Sequence, residues 1–151
     1  MANTQAICTS FKVEIMNGHH AFGTAVTRGA TTKDDFKAAL YLATATMNAS
    51  TTAYTSTNEV SGAGYSAGGI AVTNATVPTS SGTTSFWTPS ASLVYSAVTL
   101  TTAFDAVLIY NDTQADKAVS VHTFGSQTIT AGTFTLTMPA NDATNALIRI
   151  A

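Results

Sequence analysis

Gly64-Tyr65-Ser66-Ala67-Gly68 matches G-x-S-x-G. In that pattern a strained strand-to-helix turn presents a serine hydroxyl to a histidine base while backbone amides hold an oxyanion. Asp105, Asp112, Asp116 and His122 follow in an order that a serine–acid–histidine triad allows. The flanks argue otherwise. The elbow needs an apolar strand before it and a helix after it, and here "NEVSGA" precedes and "GIAVT" follows. The glycines are read instead as serving a tight ordered loop. Gly62-x-Gly64-x-x-x-Gly68 misses the dinucleotide fingerprint by one residue, and no lysine follows to complete a phosphate loop.

The remaining reactive side chains are similarly isolated. His19-His20 could suggest a metal, but adjacent residues diverge on a strand or a helix and do not chelate one ion together. A loop or interface role is preferred for the pair. The carboxylates of Asp34-Asp35 precede an element start, where they are read as capping backbone amides. Cys8 has no basic neighbour to hold a thiolate and reads as a small buried hydrophobe. Asn48, Asn74 and Asn111 each open an N-x-S/T triplet, which so much threonine produces by chance. Trp87 and the five tyrosines could line a sugar, but a lone tryptophan in a small β-domain is read as packing in the core or an oligomer contact. The expectation is therefore no catalytic residue, no cofactor and no metal.

Composition says what must surround these residues. The chain has 151 residues, about one domain, and can bury a core without staples. Hydrophobic residues make up 45%, but charged residues only 9%, against roughly 25% in ordinary domains. Threonine, about one residue in five, must supply much of the surface. It is β-branched and favours extended backbone, whereas charged helix formers are scarce. A net charge of −2, with six scattered basic residues (Lys12, Arg28, Lys33, Lys37, Lys117 and Arg149), provides no patch for nucleic acid. No apolar run reaches the roughly 18 residues of a membrane span. One cysteine and an N-terminus, "MANTQAICTSF", without signal-peptide character suggest synthesis in a reducing cytoplasm.

At "TSFKVEIMNG" two readings compete. Either Phe11, Val13 and Ile15 share a strand face, or Ser10 caps a short helix ended by Asn17-Gly18; the helix is preferred. "HHAFGTAVTRGATTKDD" is then a loop. A strand is preferred to a helix in "DFKAALYLATAT" from Asp35, and strands are expected from Ile70 to a break at Pro78, at "TSFWT", at "SLVYSAVTL", and at "AFDAVLIYND" turning into "KAVSVHTFG". "TFTLTMP" should point Phe134, Leu136 and Met138 inward, and in "ALIRI" Ile148 and Ile150 should oppose Leu147 and Arg149. Thr51–Gly69 reads as a long ordered loop with one helical turn near Thr57–Val60. The whole predicts an all-β, antiparallel β-sandwich (jelly-roll or Ig-like) with long loops and one short N-terminal helix. Residues 1–151 form a single domain, with an N-terminal helix or arm and loop over 1–35 and the sandwich over 36–151.

"FKAALYLATATMNASTTAYTSTNEVSGAGYSAGG", the later "FDAVLIYND…KAVSVHTFGSQTITAGTFTLTMP", and the ends "SFKVEIMNG" and "DATNALIRIA" together resemble small structural proteins of tailed bacteriophages. The likeness covers most of the chain, and "TTAYTSTNEVSGAGYSAGG" is its most diagnostic part. It implies a virion component without catalysis, most like a capsid decoration (cement) protein. Its partners would be the major capsid protein and its own copies, commonly as a homotrimer, with no nucleic acid and no membrane. Made in the bacterial cytoplasm, it would reside on the capsid exterior. The alternatives are a tail or neck structural component, a receptor-binding tip, or a non-viral binding module.

Overall fold

The structure, a computed structural model, describes residues 3–16, 19–23 and 33–151. The stop expected for the helix at Asn17-Gly18, Arg28 and much of the loop after His20 lie outside the described residues.

The architecture is all-β with two antiparallel sheets in a sandwich-like arrangement. β1 (Ala6–Ile7), β2 (Phe36–Leu42), β3 (Ile70–Ala71), β6 (Leu93–Asn111) and β7 (Lys117–Leu136) form the larger sheet, in the order β1-β7-β6-β2-β3. β4 (Thr79–Ser81), β5 (Thr84–Trp87) and β8 (Ile148–Ile150) form the smaller one, in the order β4-β5-β8. A helix, α1 (Thr9–Met16), follows β1. It begins two residues earlier than a Ser10 cap implies, so Ser10 sits inside the first turn, and its hydroxyl is buried without a hydrogen-bond partner among the described residues. The entry is held by backbone instead: Cys8 N–H donates to Val119 O at 3.2 Å and Thr9 N–H to Ala49 O at 2.8 Å.

Four expected strands are in fact two. "SLVYSAVTL" and "AFDAVLIYN" run together as the 19 residues of β6, and "KAVSVHTFG" and "TFTL" as the 20 of β7. No turn divides them because bulges do the bending. Register shifts lie between Tyr95 and Val98, Val98 and Leu100, Leu100 and Phe104, and Phe104 and Ala106. Each inserts extra residues on one side of the ladder, kinks the ribbon and sharpens its twist. The result is seen at Tyr95, whose hydroxyl donates to Ala38 O at 2.9 Å. Ala38 lies opposite Ile109, fourteen residues further along β6, a span of about 45 Å if the strand were straight. The ribbon therefore folds back over its own sheet.

Burial follows this doubling. Ala38, Ala39, Leu40 and Tyr41 of β2 are each 0% exposed, so the alternation in "FKAALYL" separates two covered faces. Trp87, Phe22 and Phe36 form one aromatic cluster, with Phe22 stacked on Phe36 at 4.6 Å, and Phe104, Phe124 and Phe134 form another. "TFTLTMP" keeps its expected alternation: Phe134 is buried, Leu136 and Met138 are partly buried, and Thr133, Thr135 and Thr137 are exposed. The "ALIRI" expectation holds at Ile148 but not at Ile150, which is 49% exposed because β8 ends at the rim of the smaller sheet.

The Thr51–Gly69 loop is ordered by contact with this scaffold. Its residues near Thr57 form a turn through Asn58 at φ 59°, without a helical turn. A Cβ at Gly69 (φ +75°) would lie 1.8 Å from Ala38 O, and one at Gly62 would lie 2.1 Å from Thr99 O. Gly69→Ala should therefore destabilise the fold by more than about 1 kcal/mol in urea denaturation. Gly125→Ala, where a Cβ meets nothing within 4 Å, should stay within about 0.5 kcal/mol of the parent.

Candidate functional site

The loop's one carboxylate is the centre of its chemistry. Glu59 is 9% exposed. Its Oε1 accepts the Tyr65 hydroxyl and the Gly68 N–H, both at 2.8 Å, and its Oε2 accepts the Tyr54 hydroxyl at 2.7 Å. Tyr54 stacks on Tyr110 at 4.9 Å, and Tyr110 donates its hydroxyl to Gly68 O at 2.8 Å. Tyr65 stacks on Tyr95 and accepts the Leu40 N–H at 3.0 Å. Tyr41 donates to Thr55 O at 2.6 Å.

The sequence places this clasp economically. β3 pairs with only Lys37 and Ala38 of β2, which leaves the rest of that edge needing partners. The loop supplies them: Val60 N–H donates to Leu40 O at 2.9 Å and Leu42 N–H to Asn58 O at 3.0 Å. An open strand edge is a template for unwanted pairing, and the loop closes this one. Sequence reading missed Glu59. The available signal was one carboxylate in an otherwise uncharged stretch, with a tyrosine five residues before it and another six after.

A second polar cluster ties the N-terminal region to the β6–β7 turn. Asp34, 2% exposed, accepts Ala21 N–H and Asn111 Nδ2 at 2.9 Å through Oδ2, and Gln114 Nε2 at 3.3 Å through Oδ1. Asn74 donates to Asp34 O at 2.8 Å and accepts the Gly23 N–H. His20 packs edge-on against Phe11 at 4.7 Å with Nδ1 3.0 Å from Asn111 Nδ2. His19 Nδ1 is buried with no hydrogen-bond partner among the described residues. Asp34 thus ties distant segments together, whereas Asp35 is exposed and pairs with Lys33 at 3.0 Å. Asn74 and Asn111 are buried structural groups, and Asn48 accepts the Ser50 N–H within its own turn.

The serine-hydrolase members are not brought together. Ser66 is exposed on the loop. His122 meets Ser120 Oγ instead, at 2.9 Å across its Nε2. Asp112 pairs with Lys37 at 2.9 Å, Asp105 accepts from Asn3 Nδ2, and the Asp116 carbonyl accepts Tyr54 N–H. Cys8 is buried at 0% exposure. Trp87 is 2% exposed and donates Nε1–H to Thr76 O at 2.9 Å, so it belongs to the core. Among the described residues, no three His, Cys, Asp or Glu side chains group to hold a metal.

His122 also lines an open cleft of about 690 Å³ between the large sheet and the C-terminal segment. Val107, Ile109, Leu136 and Leu147 give it an apolar wall, and Arg149 lies at its border. No described helix is long and apolar enough to cross a membrane. No family model, curated protein or solved structure matches the chain.

Two titrations report on these groups. Burial lowers the His122 pKa from 6.5 to about 4, so the native state resists the proton that the unfolded chain accepts. That stability is complete above pH 6.5 and drains away as pH falls toward 4. His122→Gln should flatten this acid slope in pH-dependent melting. Burial first, then the hydrogen bond to Glu59, pushes Tyr54 up from 10.0 to about 12, and burial raises Tyr41, Tyr65, Tyr95 and Tyr110 as well. Their stabilisation is intact below pH 10 and is lost above it. Tyrosinate absorbance and unfolding should therefore rise together in one alkaline step. Glu59→Ala, which strands two hydroxyls and an amide, should cost about 2–4 kcal/mol in chemical denaturation, and Glu59→Gln should cost less.

Proposed function

We propose that this chain is a virion structural protein that decorates the outer surface of a bacteriophage capsid and stabilises it by binding between shell subunits. The resemblance of "TTAYTSTNEVSGAGYSAGG" and its flanks to small tailed-phage structural proteins suggests the class. The observation that carries the reading is how the chain uses its polar chemistry: Glu59, Asp34, Asn74 and Asn111 are all occupied in holding loops on the sandwich. What it offers outward is a neutral, hydroxyl-rich skin.

Such a surface suits fixed protein contact. Buried charge carries a desolvation penalty that threonine and serine hydroxyls avoid. A protein that binds the assembled shell and not its free subunits stabilises the shell by mass action. Repetition over a lattice lets modest contacts suffice. The partners in this reading are the major capsid protein and further copies of the chain. A receptor-binding tip would present clustered aromatics to a glycan, whereas Trp87, Tyr41, Tyr95 and Tyr110 are all buried.

Purified protein added to shells lacking it should bind in fixed proportion to the shell subunits and raise the temperature at which they come apart. Because the contact is neutral, binding should change little between low and moderate salt. Absence of binding to shells, with binding to purified tails instead, would overturn the assignment.

A further inference from the structure

Among the described residues, the outer neighbours of β7 lie at its start, where Ala53 bridges Lys117, Ala118 N–H donates to Thr52 O, Cys8 N–H donates to Val119 O, and β1 pairs with Ser120 and Val121. The chain upstream of β1 leaves this edge, because Thr4 N–H donates to Met47 O instead. From His122 to Leu136 the outer edge of β7 has no paired strand among the described residues. Charge and proline are two of the usual guards of such an edge. Neither occurs between Ala118 and Met138.

The sequence of this edge is close to a chemical palindrome. In Thr123-Phe-Gly-Ser-Gln-Thr-Ile-Thr-Ala-Gly-Thr-Phe-Thr135, Ile129 is the centre. Thr128 mirrors Thr130, Phe124 mirrors Phe134 and Thr123 mirrors Thr135. Gly125 has no positive φ, and a Cβ there would meet nothing, so the chain's own fold does not require glycine at that point. Its absent side chain leaves room for a neighbouring backbone. The shifts near Gly125 and Ala131 add residues to β7, whereas the one facing Gln127–Ile129 adds them to β6.

We propose that this edge pairs with the same edge of a second copy, antiparallel and two-fold, with Ile129 opposite its own counterpart. Antiparallel pairing about Ile129 sets neutral residues against neutral residues throughout, and threonine opposite threonine is a favourable cross-strand pair. The contact is isologous, as closed dimers require. It deepens the reading of the chain as an assembly subunit by naming one of its partners. It is tested on purified protein, where shell binding plays no part.

Gel filtration with light scattering of the full chain should give twice the chain mass. Thr128→Lys/Thr130→Lys should give the chain mass with an unchanged melting temperature after dilution to monomer conditions. Ile129→Cys should form an intermolecular disulfide under mild oxidant, while Thr135→Cys, which would face Thr123, should not. A monomer at every concentration overturns the pairing. So does a dimer or trimer that survives the double lysine change. So too does a cross-link in the Thr135→Cys variant with none in the Ile129→Cys variant.

Discussion

The clasp of Glu59 by Tyr54, Tyr65 and the Gly68 amide is the constraint on which the rest of this fold leans. A buried carboxylate with three donors is stable where it is and costly to move, because each donor would lose its acceptor inside the protein. The clasp fixes a loop without regular secondary structure along the edge of β2, and the loop in turn closes that edge. The tyrosines join the arrangement to the sheet by stacking on Tyr95 and Tyr110. A string that matches a serine nucleophile motif by letter is thus a closure device by geometry.

Asp34 does the corresponding task at the other end of β2. It gathers Ala21, Asn111 and Gln114 around one carboxylate, and Asn74 secures its backbone carbonyl. Both acids act as hubs for segments far apart in sequence. A chain with so few charges uses two of them as internal hubs.

The strands were legible where side-chain period and burial agree, as in "TFTLTMP", whereas "FKAALYL" forms a strand although burial covers both of its faces. The helix was legible from Phe11 and Ile15, although its cap was not, since backbone carbonyls from Ala49 and Val119 replaced the serine. The fusion of four strands into two was hidden because a bulge has no residue signature comparable to a proline or an Asn-Gly turn. Ala97 and Ala131, both at positive φ, look like ordinary strand alanines in the sequence. Glu59 and Asp34 were hidden for a different reason. Their partners arrive from other segments, and a one-dimensional reading sees only an isolated acid.

The doubled ribbon has a mechanical meaning. Since β6 and β7 run unbroken through the bend that lays the ribbon over its own sheet, a load that prises its two arms apart is carried along peptide bonds. Arms that met only through side-chain packing would yield by sliding, whereas these must first unbend their own backbone.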